Sequence, residues 1–262
     1  MKNQYRAITE TADTRADADQ LAMARLRHSL VAVLAKDRRL LDVACGSGYA
    51  LPLIARHARS VTGCDRDPAN IRDSMRALPS GTFSVTDAEN LPFPDGSFDV
   101  VACLEAIYYF EDWRGFVRSA RRLLTPGGTL VTSWPNSARP AFNPSPSSTI
   151  YPSAEEMVAA AQDAGFTGVC YGAFPLDDLA TAGRPLLDAV RRAVIRLHLI
   201  PRSLRLRMFI KRALYRRLKP LSRISLIADP HQHLVRLSPA TSARFAMLYY
   251  VGDVAATAEA AR

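Results

Sequence analysis

Leu40-Leu-Asp-Val-Ala-Cys-Gly-Ser-Gly48 is the stretch on which the fold of this chain turns. A short apolar run starting at Arg39 enters a turn with two glycines. Beyond it, Leu51, Ile54, Ala55 and Ala58 recur at helical spacing. Pro52 falls in the first turn of that helix, where a missing N–H costs little. Strand, tight turn and helix in this order build the open α/β sheets, whose ligands bind outside the carboxyl ends of the strands. Gly46 and Gly48 let the backbone turn sharply and leave room for a ligand beside it. Two glycines also occur in turns that bind nothing, so the rest of the chain must decide.

Working outward, 60–64 reads as a second strand, 68–78 as a helix, 82–86 as a third strand and 98–103 as a fourth. A helix over 113–124 stops at Thr125-Pro-Gly-Gly128, and 129–134 reads as a fifth strand. A Pro- and Ser-rich loop covers 135–150. Ser153 with Glu156 three residues on makes a capping box for a helix that ends at Gly165. Strands follow over 168–174 and 243–251. At the other end, Leu21, Leu26, Leu30 and Leu34 place a helix over 15–35. Strands alternating with helices predict an α/β fold, a doubly wound, mostly parallel sheet with right-handed crossovers.

The 262 residues carry a net charge of +9, unevenly spread. Arg184–Arg223 holds +12, and the remainder −3. The basic character is confined to one segment, unlike that of a nucleic-acid-binding domain, so nucleic acid is not expected as a partner. No run of 18 apolar residues is present, and the first residues lack the apolar core of a signal peptide. The expected location is the cytoplasm.

Three acids mark the ligand edge. Asp42 lies inside the first strand, where a buried carboxylate is costly unless something pairs with it. Asp65 ends the second strand, where a carboxylate can hold ribose hydroxyls. Asp87 ends the third. Taken together, Asp42-Val-Ala-Cys-Gly-Ser-Gly48, Asp65, Asp87-Ala-Glu-Asn-Leu-Pro-Phe-Pro-Asp-Gly-Ser-Phe-Asp99 and Leu124-Thr-Pro-Gly-Gly-Thr-Leu130 resemble the class I S-adenosylmethionine-dependent methyltransferases. The resemblance covers 39–174 well and 243–251 weakly. It implies a seven-stranded Rossmann-like sheet with an antiparallel last strand, and S-adenosyl-L-methionine as cofactor. It also implies that Asp42, Ala44, Gly46 and Gly48 meet the methionine portion and that Asp65, followed by Arg66, holds the ribose. Asp87 and the backbone of Ala88 would hold the adenine, with Leu104 near the sulfonium. Ala44 stands where the family has its first glycine, a departure that requires a negative φ. A nicotinamide enzyme is the competing reading. Its fingerprint needs a small third residue, and Leu51 stands there.

Methyl transfer to oxygen calls for a general base. Glu105, Tyr108 and Tyr109, just past the fourth strand, are the expected catalytic residues. His28 is a further base candidate, as are His231 and His233, whose alternation puts two imidazoles on one strand face. Two imidazoles are too few for a metal, and none is expected. Cys45, Cys64 and Cys103, at strand ends, read as small buried apolar groups.

Four regions are expected: an N-terminal helical cap (1–38), the cofactor-binding core (39–174), a basic helical insert (175–238), and a last strand and tail (239–262). Leu206, Ile210, Leu214 and Leu218 form an apolar stripe interleaved with arginines. Such an amphipathic basic surface suits an anionic membrane at the inner face, with the protein peripheral to it, or a phosphorylated acceptor. Tyr171-Gly-Ala-Phe-Pro175 and the basic stretch leading to Lys211-Arg-Ala-Leu-Tyr215 also resemble methyltransferases of bacterial surface-glycan pathways. The acceptor is expected to be a small molecule or glycan, with a sugar hydroxyl on a nucleotide- or lipid-linked glycan as the specific expectation. A natural-product acceptor is the alternative. A non-catalytic module binding membrane or RNA is the reading from another class, and the intact cofactor edge argues against it.

Overall fold

The computed structural model of the protein describes residues 9–140, 142–176, 218–238 and 243–255. In chain order the elements are β1 (Arg15–Ala16), α1 (Ala18–Leu34), β2 (Arg39–Val43), α2 (Leu51–Ile54), β3 (Ser60–Asp65), α3 (Pro68–Ala77), β4 (Thr82–Val85), β5 (Phe98–Leu104), α4 (Trp113–Leu123), β6 (Leu124–Pro135), α5 (Ala154–Asp163), β7 (Phe166–Pro175), β8 (Lys219–Pro220), β9 (Val235–Arg236) and β10 (Phe245–Val254).

The main sheet runs β4-β3-β2-β5-β6-β10-β7-β9. From β4 to β6 the pairs are parallel, and β10 lies antiparallel between β6 and β7. These are the seven expected strands with one addition, since two-residue β9 pairs with the outer edge of β7. Period-two alternation divides the strand residues between two cores. Leu40, Val100, Ala102, Val131 and Tyr249 pack toward Leu26 and Leu30 of α1. Leu41, Val43, Val101, Cys103 and Tyr250 pack toward Phe116, Val117 and Met157 of α4 and α5. Strand order reverses between β2 and β5, which opens a crevice at their carboxyl ends. At the opposite ends, Asp99 accepts from the Arg39 amide at 2.9 Å and from its guanidinium at 2.9 and 3.1 Å. The Arg39 hydrogen bonds hold that carboxyl down at about 2.

Caps set the helix bounds. The Asp17 side chain accepts from the Gln20 amide, so α1 starts at Ala18. The expected Ser153–Glu156 capping box is formed in full. Three elements depart from the sequence expectation. The helix expected over 49–58 shrinks to α2, because the chain turns back for Ala58 to bridge Lys36 and for the His57 carbonyl to accept the Asp37 amide. The Thr125–Gly128 turn is absorbed into β6, with Gly127 at φ 72° and a register shift against β5. His231 and His233 occupy a 3₁₀ turn, Pro230–His233, and not a strand, because Asp229 caps the turn and Pro230 begins it.

The expected insert lies outside the described residues over 177–217. Its described end, 218–238, forms short strands and 3₁₀ turns, and β8 pairs with β1. The amides of Leu221 and Ser222 donate to the carbonyls of Thr14 and Ala12 at 3.0 and 2.9 Å. The N-terminal segment is thereby fastened above the carboxyl ends of the sheet.

Candidate functional site

A cavity of about 430 Å³ opens at the carboxyl edge of β2, β3 and β5. Asp42, Ala44, Gly46, Asp65, Arg66, Asp87, Ala88, Leu104, Glu105, Tyr108 and Tyr109 all border it. Gly48 does not; it lies behind the cavity wall. A Cβ there would come within 2.6 Å of Ser74 Oγ and 3.1 Å of the Ser74 Cα, so this glycine seats the loop on α3.

The loop takes three left-handed steps, at Ala44 (φ 56°), Gly46 (φ 57°) and Gly48 (φ 64°). The negative φ expected for Ala44 is therefore corrected. The alternation delivers the Cys45 amide to the Cys64 carbonyl at 3.0 Å and the Gly46 amide to Asp65 Oδ2 at 3.0 Å. Asp65 also accepts from the Asp67 amide at 2.8 Å and from Asn70 Nδ2 at 3.1 Å. Burial pushes its carboxyl upward, and these bonds pull it back. Asp42 is buried, and its carboxyl has no hydrogen-bond partner among the described residues. Burial, then the nearby Asp65 charge, lifts it to about 7. Asp87 stands at the exposed lip, accepting from the Glu89 amide at 3.1 Å.

At the other end, Glu105 takes a left-handed backbone (φ 56°), and Ser133 Oγ donates to its carboxylate at 3.2 Å. Burial lifts Glu105 to about 7, against the pull of Arg27. Tyr108 stacks on Tyr151 at 4.7 Å, and the Tyr109 hydroxyl lies 2.6 Å from Ser145 Oγ. Burial raises both phenols, so near neutrality they are protonated hydrogen-bond donors and not bases. His28 also borders the cavity, with Nδ1 2.7 Å from the Ala24 carbonyl. Burial, then the Arg27 charge, presses it down to about 3, so it is neutral. Cys64 and Cys103 are buried and Cys45 half-buried, and burial raises all three thiols.

Glu10, Arg27, Tyr49, Asn70 and Thr149 border the same cavity without having been singled out in the sequence. For Arg27 a signal existed. It stands on the buried face of α1 with Ala24 and Val31, at i+3 and i+4 spacing, where a charge needs a reason.

The donor set fits S-adenosylmethionine. A partnerless buried carboxyl suits the positive end of the methionine portion, the glycine turn leaves close approach, and acids terminate β3 and the segment after β4. The methyltransferase domain family matches residues 41–132. Over that stretch the chain is similar to the methyltransferase domains. The chain is 34% identical over 169 residues to a probable S-adenosylmethionine-dependent methyltransferase of Mycolicibacterium smegmatis, covering 60% of this chain and 65% of that one. Over 98 residues it is 40% identical to the phthiotriol/phenolphthiotriol dimycocerosates methyltransferase of Mycobacterium leprae, covering 36% of each. The chain thus spans under two thirds of the length of these curated relatives. Among solved structures, the [4+2]-cyclase SpnF superposes with a TM-score of 0.57 at 20% identity, over 95% of this chain and 87% of that one. A methyltransferase from Haloferax volcanii, solved in complex with the Trm112 activator, superposes at 0.56 and 19%, over 91% and 93%. At such identities the likeness is one of fold. The methyltransferase domain implies S-adenosyl-L-methionine as cofactor.

Proposed function

We propose that the protein transfers a methyl group from S-adenosylmethionine to a hydroxyl of a small-molecule or glycan acceptor, specifically a sugar hydroxyl on a nucleotide- or lipid-linked glycan. The observation that carries this reading is the meeting of Asp42, Asp65, Asp87 and Glu105 around one cavity. Bound there, S-adenosylmethionine supplies an electrophilic methyl on a sulfonium. Asp65 holds the ribose hydroxyls, with Arg66 beside it. Asp87 and the Ala88 backbone take the adenine, and Leu104 packs near the sulfur. Asp42 lies beside the positive methionine end with Ala44, Gly46 and the Gly48 turn. Glu105, poised near neutrality, takes the acceptor's proton, because a base works best with a pKa near the working pH. Tyr108 and Tyr109 donate hydrogen bonds and orient the acceptor. Positioning of this kind contributes up to roughly 7–11 kcal/mol in favourable cases.

A natural-product acceptor is the second reading. It rests on the Mycobacterium leprae relative, whose name gives phthiotriol and phenolphthiotriol dimycocerosates as what it methylates. The arginine-rich stretch 184–223 would hold the protein, in the cytoplasm, against an anionic membrane. No helix among the described residues is long and apolar enough to cross one. Sedimentation with anionic and neutral vesicles at two salt concentrations tests the docking, and equal pelleting discards it. Intact-mass analysis of hydroxyl acceptors incubated with protein and S-adenosylmethionine tests the activity. A gain of one methyl group on a glycan acceptor is expected. Gain only on amines, or on none of a broad panel, overturns the assignment.

A further inference from the structure

Arg27 brings a buried guanidinium to the cavity, with its side chain 6% exposed. Its Nη2 pairs with the Glu10 carboxylate and donates to the Tyr49 hydroxyl at 3.0 Å, and that hydroxyl donates to Glu10 at 2.9 Å. Nε and Nη1 have no partner among the described residues. Glu10, in contrast, is 41% exposed. It belongs to the segment before β1, which lies across the glycine turn. Ser47 Oγ donates to the Glu10 carbonyl at 2.8 Å, and Asn70 Nδ2 to Thr9 Oγ1 at 3.3 Å.

S-adenosylmethionine carries two positive groups, the sulfonium and the ammonium, and one negative group, the α-carboxylate. Asp42 and Glu105 suit the positive groups, and like Asp65 at the ribose end they repel the negative one. Two arginines border the cavity. Arg66 is exposed and directly follows Asp65, at the ribose end. Arg27 is buried and bonded to Tyr49, at the end of the glycine turn. A planar guanidinium with free donors is the matching partner for a carboxylate.

We propose that Glu10 occupies on Arg27 and Tyr49 the position of the cofactor's α-carboxylate, and that binding of the cofactor displaces it. The inference rests on the cofactor reading above and extends it to an internal competitor. Leaving a buried guanidinium unpaired is strongly unfavourable, whereas exchanging one carboxylate for another keeps it paired throughout. The side chain that moves is the half-exposed one. The segment stays fastened meanwhile through β1 and β8. Glu10 then tunes affinity for the amino-acid end of the cofactor and leaves its nucleoside end alone.

Equilibrium binding of two probes separates these ends. S-adenosylhomocysteine has the α-carboxylate; 5′-methylthioadenosine lacks the whole amino-acid portion. Glu10→Gln is expected to tighten S-adenosylhomocysteine about threefold to tenfold, the factor by which a closed state populated at about 70–90% weakens apparent affinity. Methylthioadenosine binding should stay within about twofold of wild type. Arg27→Gln should weaken S-adenosylhomocysteine more than about tenfold, the loss of a charge-assisted pair, and leave methylthioadenosine unchanged, which also reports an intact nucleoside site. Glu10→Gln that leaves S-adenosylhomocysteine unchanged or weaker, or that shifts both probes alike, overturns the competitor. If neither probe binds the wild-type protein, the cofactor reading fails and the competitor with it.

Discussion

Ala44 holds a left-handed backbone at φ 56° in a loop where two glycines do the same. For an L-residue that conformation costs roughly 1–2 kcal/mol. Glycine removes the cost but adds roughly 0.5–1 kcal/mol of backbone entropy to be lost on folding. Ala44→Gly should therefore stabilise the protein by a net of about 0.5–1 kcal/mol, a rise in melting temperature of about 1–4 °C. Thermal unfolding measures this, and a fall in melting temperature would contradict the left-handed loop. The glycines were legible as a turn from sequence alone, but an alanine carries no mark of its φ. The Asp42, Asp65 and Asp87 positions were legible because Asp42 is an acid inside an apolar strand, Asp65 ends one and Asp87 follows one. Glu10 was not, because its partners at the site are distant in sequence: Arg27, 17 positions on, Ser47, 37 positions on, and Tyr49, 39 positions on.

At the scale of elements, strand–helix alternation was legible because each strand is an apolar run and each helix has a stripe. Capping was legible too. Ser153 and Glu156 bond reciprocally at the start of α5. Ser153→Ala should cost about 1 kcal/mol. Helix α5 packs on α4, β7 and β10, and none of its residues borders the cavity, so cofactor affinity should not change. Chemical denaturation and a binding titration of the same variant check both halves. A loss of affinity would mean that α5 is coupled to the site. The elements that escaped sequence reading are those fixed by distant partners. Pairing of β1 with β8 joins segments about 200 residues apart, and β9 is two residues long. Neither leaves a periodic signal. The two-histidine segment alternates like a strand, yet the Asp229 cap turns it into a 3₁₀ turn.

For the molecule as a whole, acids line the cavity, and with a cationic cofactor bound there, as proposed, binding and stability depend on pH in opposite senses. Asp42 and Glu105 are lifted from 3.8 and 4.5 to about 7. An acid whose folded pKa exceeds its unfolded one stabilises the fold below the unfolded pKa, and that contribution is lost as pH rises through the folded pKa. Without added cofactor, these two groups therefore lower stability as pH climbs from about 4 to about 7. His28, lowered from 6.5 to about 3, acts the other way. Its contribution is full above 6.5 and fades as pH falls toward 3. Binding has the sign opposite to that of the acids' stability term. A positive ligand beside Asp42 favours the carboxylate, so below neutrality each bound cofactor must expel a proton from it. Affinity for S-adenosylmethionine should then rise with pH between about 5.5 and 7.5, approaching tenfold per unit for each proton expelled. Asp42→Asn cannot lose that proton, so its affinity should be lower at pH 7.5 and its slope against pH shallower. Calorimetric titrations in buffers of different ionisation heat count the protons directly. An unchanged slope in Asp42→Asn would assign the titration to Glu105 or to the cofactor's own ammonium, and would place Asp42 away from the positive end of the ligand.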